Sequence, residues 1–256
     1  MKALFAFYEC IFKSLKKHKT DTLLNISNVI INQIISVFFL YVIISNVPSL
    51  NGWNQDKLIF LYGIFLFNRG VACFFTESVY EIETQIKMGT FDGILVRPVS
   101  PILQILGLSL SFGDLVNVGV GLIIIFCKIH VFIRGNGLFE MVVIAVYAIL
   151  SLVIVFSIRL ISMSIAFWTL TSYPVAIAMD NFSEFARYPT SIYKKGIRFF
   201  LDYIIPFSVL AYFPAVAIIE RKTSVIWGSV LIAIGVAIIA EVVWRLGIRN
   251  YKSSGH

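Results

Sequence analysis

Apolar runs about as long as a bilayer is thick recur along this chain, and no other feature restricts its fold so strongly. A helix that crosses a membrane needs about 20 consecutive apolar residues. Runs of that kind lie at residues 22–46, 57–80, 101–127, 138–158, 160–180 and 223–246. A membrane β-barrel would instead alternate in polarity over about 10 residues per strand, so it is excluded. Only 14% of the residues are charged, against about 25% in soluble domains, which excludes a water-soluble globule. The predicted fold is an all-α integral membrane protein of six transmembrane helices, forming one domain over residues 1–256, with both termini on the same side.

The first 21 residues carry Lys2, Lys13, Lys16, Lys17 and Lys19, with Leu4, Phe7, Ile11, Phe12 and Leu15 at helical spacing. That pattern predicts an N-terminal amphipathic interfacial helix on an anionic leaflet, retained rather than cleaved as a signal peptide. The net charge of +7 is therefore assigned to membrane topology, and no nucleic-acid partner is expected. Cys10, Cys73 and Cys127 are far apart and odd in number, as are the three histidines, so neither a disulfide framework nor a metal site is indicated. No phosphate-binding G-x-x-x-x-G-K-[ST] loop and no clustered acid, base and nucleophile occur, which predicts a chain that is not itself an enzyme and binds no cofactor.

Between the second and third runs, residues 79–101 read VYEIETQIKMGTFDGILVRPVSP. Val79, Ile82 and Ile86 share one helical face, and Glu81, Glu83, Thr84, Gln85 and Lys87 occupy the other, predicted to face water. Gly89 supplies a left-handed stop, Thr90 is placed to cap the next turn, and Phe91, Ile94 and Leu95 form a second apolar face before Pro98 and Pro101. Segment 79–100 therefore reads as a surface helix and elbow.

The stretch GTFDGILVRPVSP resembles the cytoplasmic coupling segment of the ABC transporter type-2 permease family, in its subfamily with a pattern close to G-x-x-D-x-x-L-x-R-P-V-S. Residues 184–215 and 249–256 are similar to that family as well, so the resemblance covers most of the chain. It implies a permease subunit of an ATP-driven exporter in the plasma membrane, with cytoplasmic termini. Its partners would be two copies of a separate ATPase, which binds ATP and Mg, and a second permease, identical or homologous. Glu81, Glu83, Gly89, Thr90, Phe91, Asp92, Arg97 and Pro98 are then the expected ATPase contacts.

Topology turns on the apolar run from Glu140 to Met179, too long for one crossing. A charge at mid-bilayer costs about 2.5–3.5 kcal/mol, so splitting the run at Arg159 brings that cation to an interface. One long span over 140–170 followed by another over 197–217 suits the distribution of Lys and Arg better. The resemblance favours the split, with residues 181–222 as an external excursion of re-entrant half-helices broken at Pro206 and Pro214.

Asn25, Asn28, Asn32 and Ser36 align on one face of the first run, to bond a neighbouring helix or to line a pathway. In the resembled family the first, second and fifth spans enclose the route, which favours the pathway. Arg69 and Asp114 should lie at similar depth, as a structural ion pair or, for Arg69, a substrate contact. Asp202, in the excursion, is a further candidate for a leaving substrate. With 23 Phe, the expected cargo is amphiphilic: a lipid-linked molecule, a peptide or a drug. The alternatives are an ATPase-coupled sensor that carries no cargo, and a secondary transporter working without ATP, for which no repeated half is visible.

Overall fold

The computed structural model describes residues 19–46, 51–133 and 135–251, so the interfacial helix predicted for residues 1–21 lies almost wholly outside them. Among the described residues the chain is helical. In order the helices are α1 (Lys19–Asn46), α2 (Gln55–Thr76), α3 (Glu81–Lys87), α4 (Phe91–Leu95), α5 (Pro101–Leu106), α6 (Asp114–Ile129), α7 (Leu138–Ser164), α8 (Ala166–Thr169), α9 (Tyr173–Ser183), α10 (Lys195–Phe199), α11 (Tyr212–Ile219) and α12 (Thr223–Asn250). Three helical stretches are long and apolar enough to cross a membrane: Gln55–Lys87, Leu138–Thr169 and Thr223–Asn250.

Local chemistry explains the first of these. Asn54 accepts from the Lys57 amide and starts α2 with Asp56 in its first turn, the arrangement that satisfies and complements a helix N-terminus. At the other end a 3₁₀ turn, Glu77–Tyr80, passes into α3 without interruption. The combined helix has 33 residues and is therefore about 50 Å long, well beyond the roughly 30 Å of a hydrocarbon core. Its last turns, which carry Glu77, Glu81, Glu83 and Lys87, extend past the apolar part.

α2 packs along α6 and α7, and α7 along α12. Lys128 pairs with Asp56 at 2.7 Å while Gly70 meets Val118 further along, so α6 runs antiparallel to α2. The α2–α6 contact is backbone against backbone. A Cβ built on Gly121 would stand 2.5 Å from the Phe67 amide nitrogen, and one on Gly70 would stand 2.8 Å from that of Val118. Small residues that admit such approach replace the hydrophobic drive that lipid removes. α7 and α12 run parallel, tied by Glu140–Arg221 at their starts, by Tyr147 to Ser229 at 3.0 Å, and by Phe167 against Gly247 at their ends.

Helices fill the segments 22–46, 57–80 and 223–246, but the other three predicted spans are redrawn. α7 continues through Arg159 to Ser164, so the split into 138–158 and 160–180 is incorrect. The guanidinium stays inside because an acidic partner reaches it there. The segment 101–127 is also not one helix: α5 ends at Leu106 and α6 begins at Asp114.

Beyond α9 the chain makes two short 3₁₀ turns, Glu184–Arg187 and Thr190–Ile192, then α10, a π-helical turn Phe200–Ile204, a break at Pro206, a 3₁₀ turn Phe207–Leu210 and α11. Pro206 interrupts the helix as predicted from its missing amide. Pro214 does not, because it sits in the first turn of α11, where no intrahelical donor is required. Backbone carbonyls exposed by the break are met by side chains: Asn68 donates to Leu210 at 2.8 Å and Ser151 to Val209 at 3.4 Å.

Candidate functional site

The 33-residue helix ends in the elbow. Gly89 takes φ +69°, a conformation costly for residues with a Cβ, and turns the chain back into α4. Phe91 is fully buried, with its ring 5.3 Å from Phe167, 6.1 Å from Trp244 and 5.2 Å from Tyr251. An aromatic anchor of this kind holds the elbow against the ends of α7 and α12. The return loop is pinned by Gln104, which donates to the carbonyls of Ile94 and Val99, both at 2.8 Å. Ser100 caps α5 through the Leu103 amide, and Pro101 occupies its first turn, the favoured place for proline.

The expected ATPase contacts divide between two sides of this elbow. Glu81, Thr90, Arg97 and Pro98 are exposed, and Gly89 and Asp92 half-buried. Thr90 does not cap the next turn; its hydroxyl turns back to Gln85. Phe91 and Glu83 face inward, contrary to the aqueous placement predicted for Glu83. Two residues that helical periodicity did not single out are the most exposed large apolar side chains of the elbow: Met88, 72% exposed, and Val96, 83% exposed, ahead of Leu95 at 37%. The available signal was local, apolar residues lodged between a glycine stop and a proline exit.

Glu83 turns inward because it has donors to meet. Its carboxylate accepts from the Ser172 amide and the Tyr173 amide, both at 2.6 Å, from the Ser172 hydroxyl at 3.0 Å, and from Lys87. Burial pushes this carboxyl up, but the hydrogen bonds from Lys87, Ser172 and Tyr173 outweigh it and bring the pKa down to about 2. A depressed carboxyl contributes stability above its unfolded value of about 4.3 and loses it as pH falls through the folded value. Glu83→Ala is expected to destabilise the chain by about 1–3 kcal/mol, the usual effect of stranding buried donors. The difference from wild type should shrink between about pH 4.5 and pH 2 in unfolding titrations of detergent-solubilised protein; a pH-independent difference would contradict the assignment.

One turn closer to the membrane interior, Arg159 is 3% exposed. Its guanidinium donates to Asp180 at 2.6 and 3.3 Å and to Thr76 at 2.9 Å, and lies 4.8 Å over the Tyr80 ring. Tyr80 in turn donates to Asp180 at 2.6 Å. α2, α7 and α9 thus meet in one charged clasp.

Further along α2, a polar cavity of about 350 Å³ is lined by Asn32, Gln33 and Ser36 of α1, Arg69 of α2, Asp114 of α6, and Glu184 and Arg187 after α9. Two of the four residues in the polar stripe of α1 therefore reach it. Asn28 is exposed and accepts from Asn32 at 2.9 Å, and the Asn25 side chain lies outside the description. The predicted Arg69–Asp114 pair is not formed. Arg69 binds Glu184 at 2.6 Å, while Asp114 accepts from Asn117 at 2.8 Å. The partner changes because the segment after α9 packs against α2, beside the cavity. Asp202 is elsewhere, buried with Thr190, Ser208 and Arg198 as a staple of the excursion. Gln33 links α1 to this wall, donating to Asn117 at 2.6 Å and accepting from Tyr62 at 3.1 Å; sequence reasoning missed both Gln33 and Glu184.

Comparison with curated proteins and with solved structures finds no significant match. The model of the family described as ABC-2 family transporter protein matches residues 30–255. With helices fit to cross a membrane and an elbow projecting from one of them, the chain belongs to the ABC-2 transporter family, the membrane permease component of an ABC transporter, which works with an ABC ATPase.

Proposed function

We propose that this chain is the permease of an ATP-driven exporter and that its elbow is the docking element for a separate ATPase subunit. The observation that carries the reading is the tip itself. Met88 and Val96 stand almost free at the end of a helix longer than a bilayer requires, and isolated apolar groups presented on a rigid mount suit an apolar groove on a partner. Glu81, Lys87, Thr90 and Arg97, polar and exposed on the same elbow, would supply the polar rim, with Pro98 exposed beside Arg97.

The helix directions support six crossings: α1, α2, α5 with α6, α7, the interrupted segment 173–193, and α12. Ile30, Val37 and Phe38 lie beside Val116 and Val120, so α1 packs on α6, and in the proposed topology it runs with α6 and against α2. Both described ends then fall on the elbow's side, the cytoplasm, with residues 195–219 as the external re-entrant part. The polar cavity between α1 and α2 is the proposed substrate route, completed by a second permease, identical or homologous, over two ATPase copies. Balanced charge from Arg69, Arg187, Asp114 and Glu184 beside apolar helix faces suits an amphiphile moved outward.

The double variant Met88→Glu, Val96→Glu is expected to weaken association with the ATPase by roughly tenfold or more while leaving the permease folded, since both side chains are at the surface. Affinity in lipid nanodiscs and ATP hydrolysis by the complex are the readouts. Unchanged binding and unchanged hydrolysis would refute the docking assignment.

A further inference from the structure

We propose that Glu83 and Asp180 are positioning residues that fasten α9 to the elbow, so that the elbow, α9 and the Glu184–Arg187 wall of the polar cavity move as one body. This rests on the coupling role proposed above. The start of α9 has no cap of its own: Ser172 makes no side-chain cap bond, and Pro174 brings no amide. Val175 and Ala176 donate to the Ser172 carbonyl. The two remaining amides, of Ser172 and Tyr173, both go to Glu83, on an element 89 and 90 residues away in sequence. A helix start whose donors are satisfied from another element cannot leave that element without stranding them.

A second fastening lies two turns along α9, where Asp180 takes the Arg159 guanidinium and the Tyr80 hydroxyl. Tyr80 belongs to the turn that leads into α3, so both attachments grip the elbow-bearing helix. One further turn along, Glu184 binds Arg69 of the same long helix inside the cavity wall. Three polar attachments at successive levels leave α9 little freedom to slide or tilt against α2 and α3. α1, by contrast, is joined to the cavity wall, among its described residues, through Gln33 and through Ser36, which bonds Tyr62, both on a single level of α2. Movement imposed on the elbow therefore opens or closes the seam at α1 rather than the seam at α9.

Spin labels test this in the complex purified with its ATPase and reconstituted in nanodiscs, with Cys10, Cys73 and Cys127 replaced. Labels go on Thr84→Cys on α3 of the elbow, Asn181→Cys on α9 and Ile31→Cys on α1, all exposed positions and none of them among the proposed docking contacts. Between nucleotide-free and vanadate-trapped states, the 84–181 distance is expected to stay constant, and the 84–31 and 181–31 distances to change together. In Glu83→Ala, Asp180→Asn protein, 84–31 should still respond while 181–31 loses its response, and 84–181 should broaden. Glu83→Gln alone keeps a carbonyl acceptor and should restore the 181–31 response. A general loss of stability would not separate the two α1 distances in this way.

In the complex carrying no other substitution, a change in 84–181 larger than the roughly 1–2 Å of ordinary helix adjustments overturns the one-body proposal and leaves ATPase docking intact. This arm needs no destabilised variant. If none of the three distances responds to nucleotide, the coupling reading fails and the proposal with it.

Discussion

Arg159→Met is expected to destabilise the chain by about 3 kcal/mol, the lower end of the range for removing one partner of a buried ion pair. Methionine fills much of the same volume but leaves the Asp180 carboxylate without its cation, and removes the donors to Asp180 and Thr76 and the cation over Tyr80. The lower end applies because the Asp180 side chain retains 21% exposure toward an open cleft, where water recovers part of the lost solvation. Adding Asp180→Asn should restore a substantial share, since the amide strands no charge, and a double-mutant cycle on unfolding in mixed micelles measures it. A stability equal to wild type for Arg159→Met would mean that the clasp holds nothing together.

Gly121→Val should be comparably damaging, at about 1–3 kcal/mol from overpacking. The new Cβ would meet the Phe67 amide nitrogen at 2.5 Å and the Gly63 carbonyl at 2.8 Å. Both are backbone atoms inside a helix, so relief requires α2 and α6 to separate, with loss of the contact on which both depend. Gly119, two residues earlier on α6, has open space around it. Gly119→Ala should therefore be neutral or stabilising by up to about 1 kcal/mol, the ordinary benefit of replacing glycine in a helix. Unfolding midpoints of Gly119→Ala, Gly121→Ala and Gly121→Val, measured side by side, should fall in that order. Equal midpoints for the two alanine variants would refute close packing at this seam.

The legible parts and the misread parts of this chain differ in kind. The stripe Val79, Ile82, Ile86 was readable because helical spacing alone places three side chains on one face, and all three are buried. Gly89 was readable because a left-handed stop depends on the residue itself. Glu83 was misread by the same periodicity, which counts faces of a single helix and assigns a carboxylate to water. The donors that draw it inward belong to α9. Arg159 was misread for the matching reason: its cost at mid-helix was estimated for a lone cation, and Asp180 removes that cost. Arg69 was recognised as a buried charge in need of a partner, yet Glu184 rather than Asp114 answers it.

Helix content, membrane residence and the elbow's position follow from properties that neighbours along the chain settle among themselves: apolar length against bilayer thickness, spacing against helical pitch, glycine against backbone strain. Pairing of buried charges obeys no such local rule. Which carboxylate meets which guanidinium depends on how α2, α7 and α9 lie against one another, and the energy of each pair depends on the solvent that this packing removes. The path from elbow to cavity is made of those pairings, and so it came into view only with the folded chain.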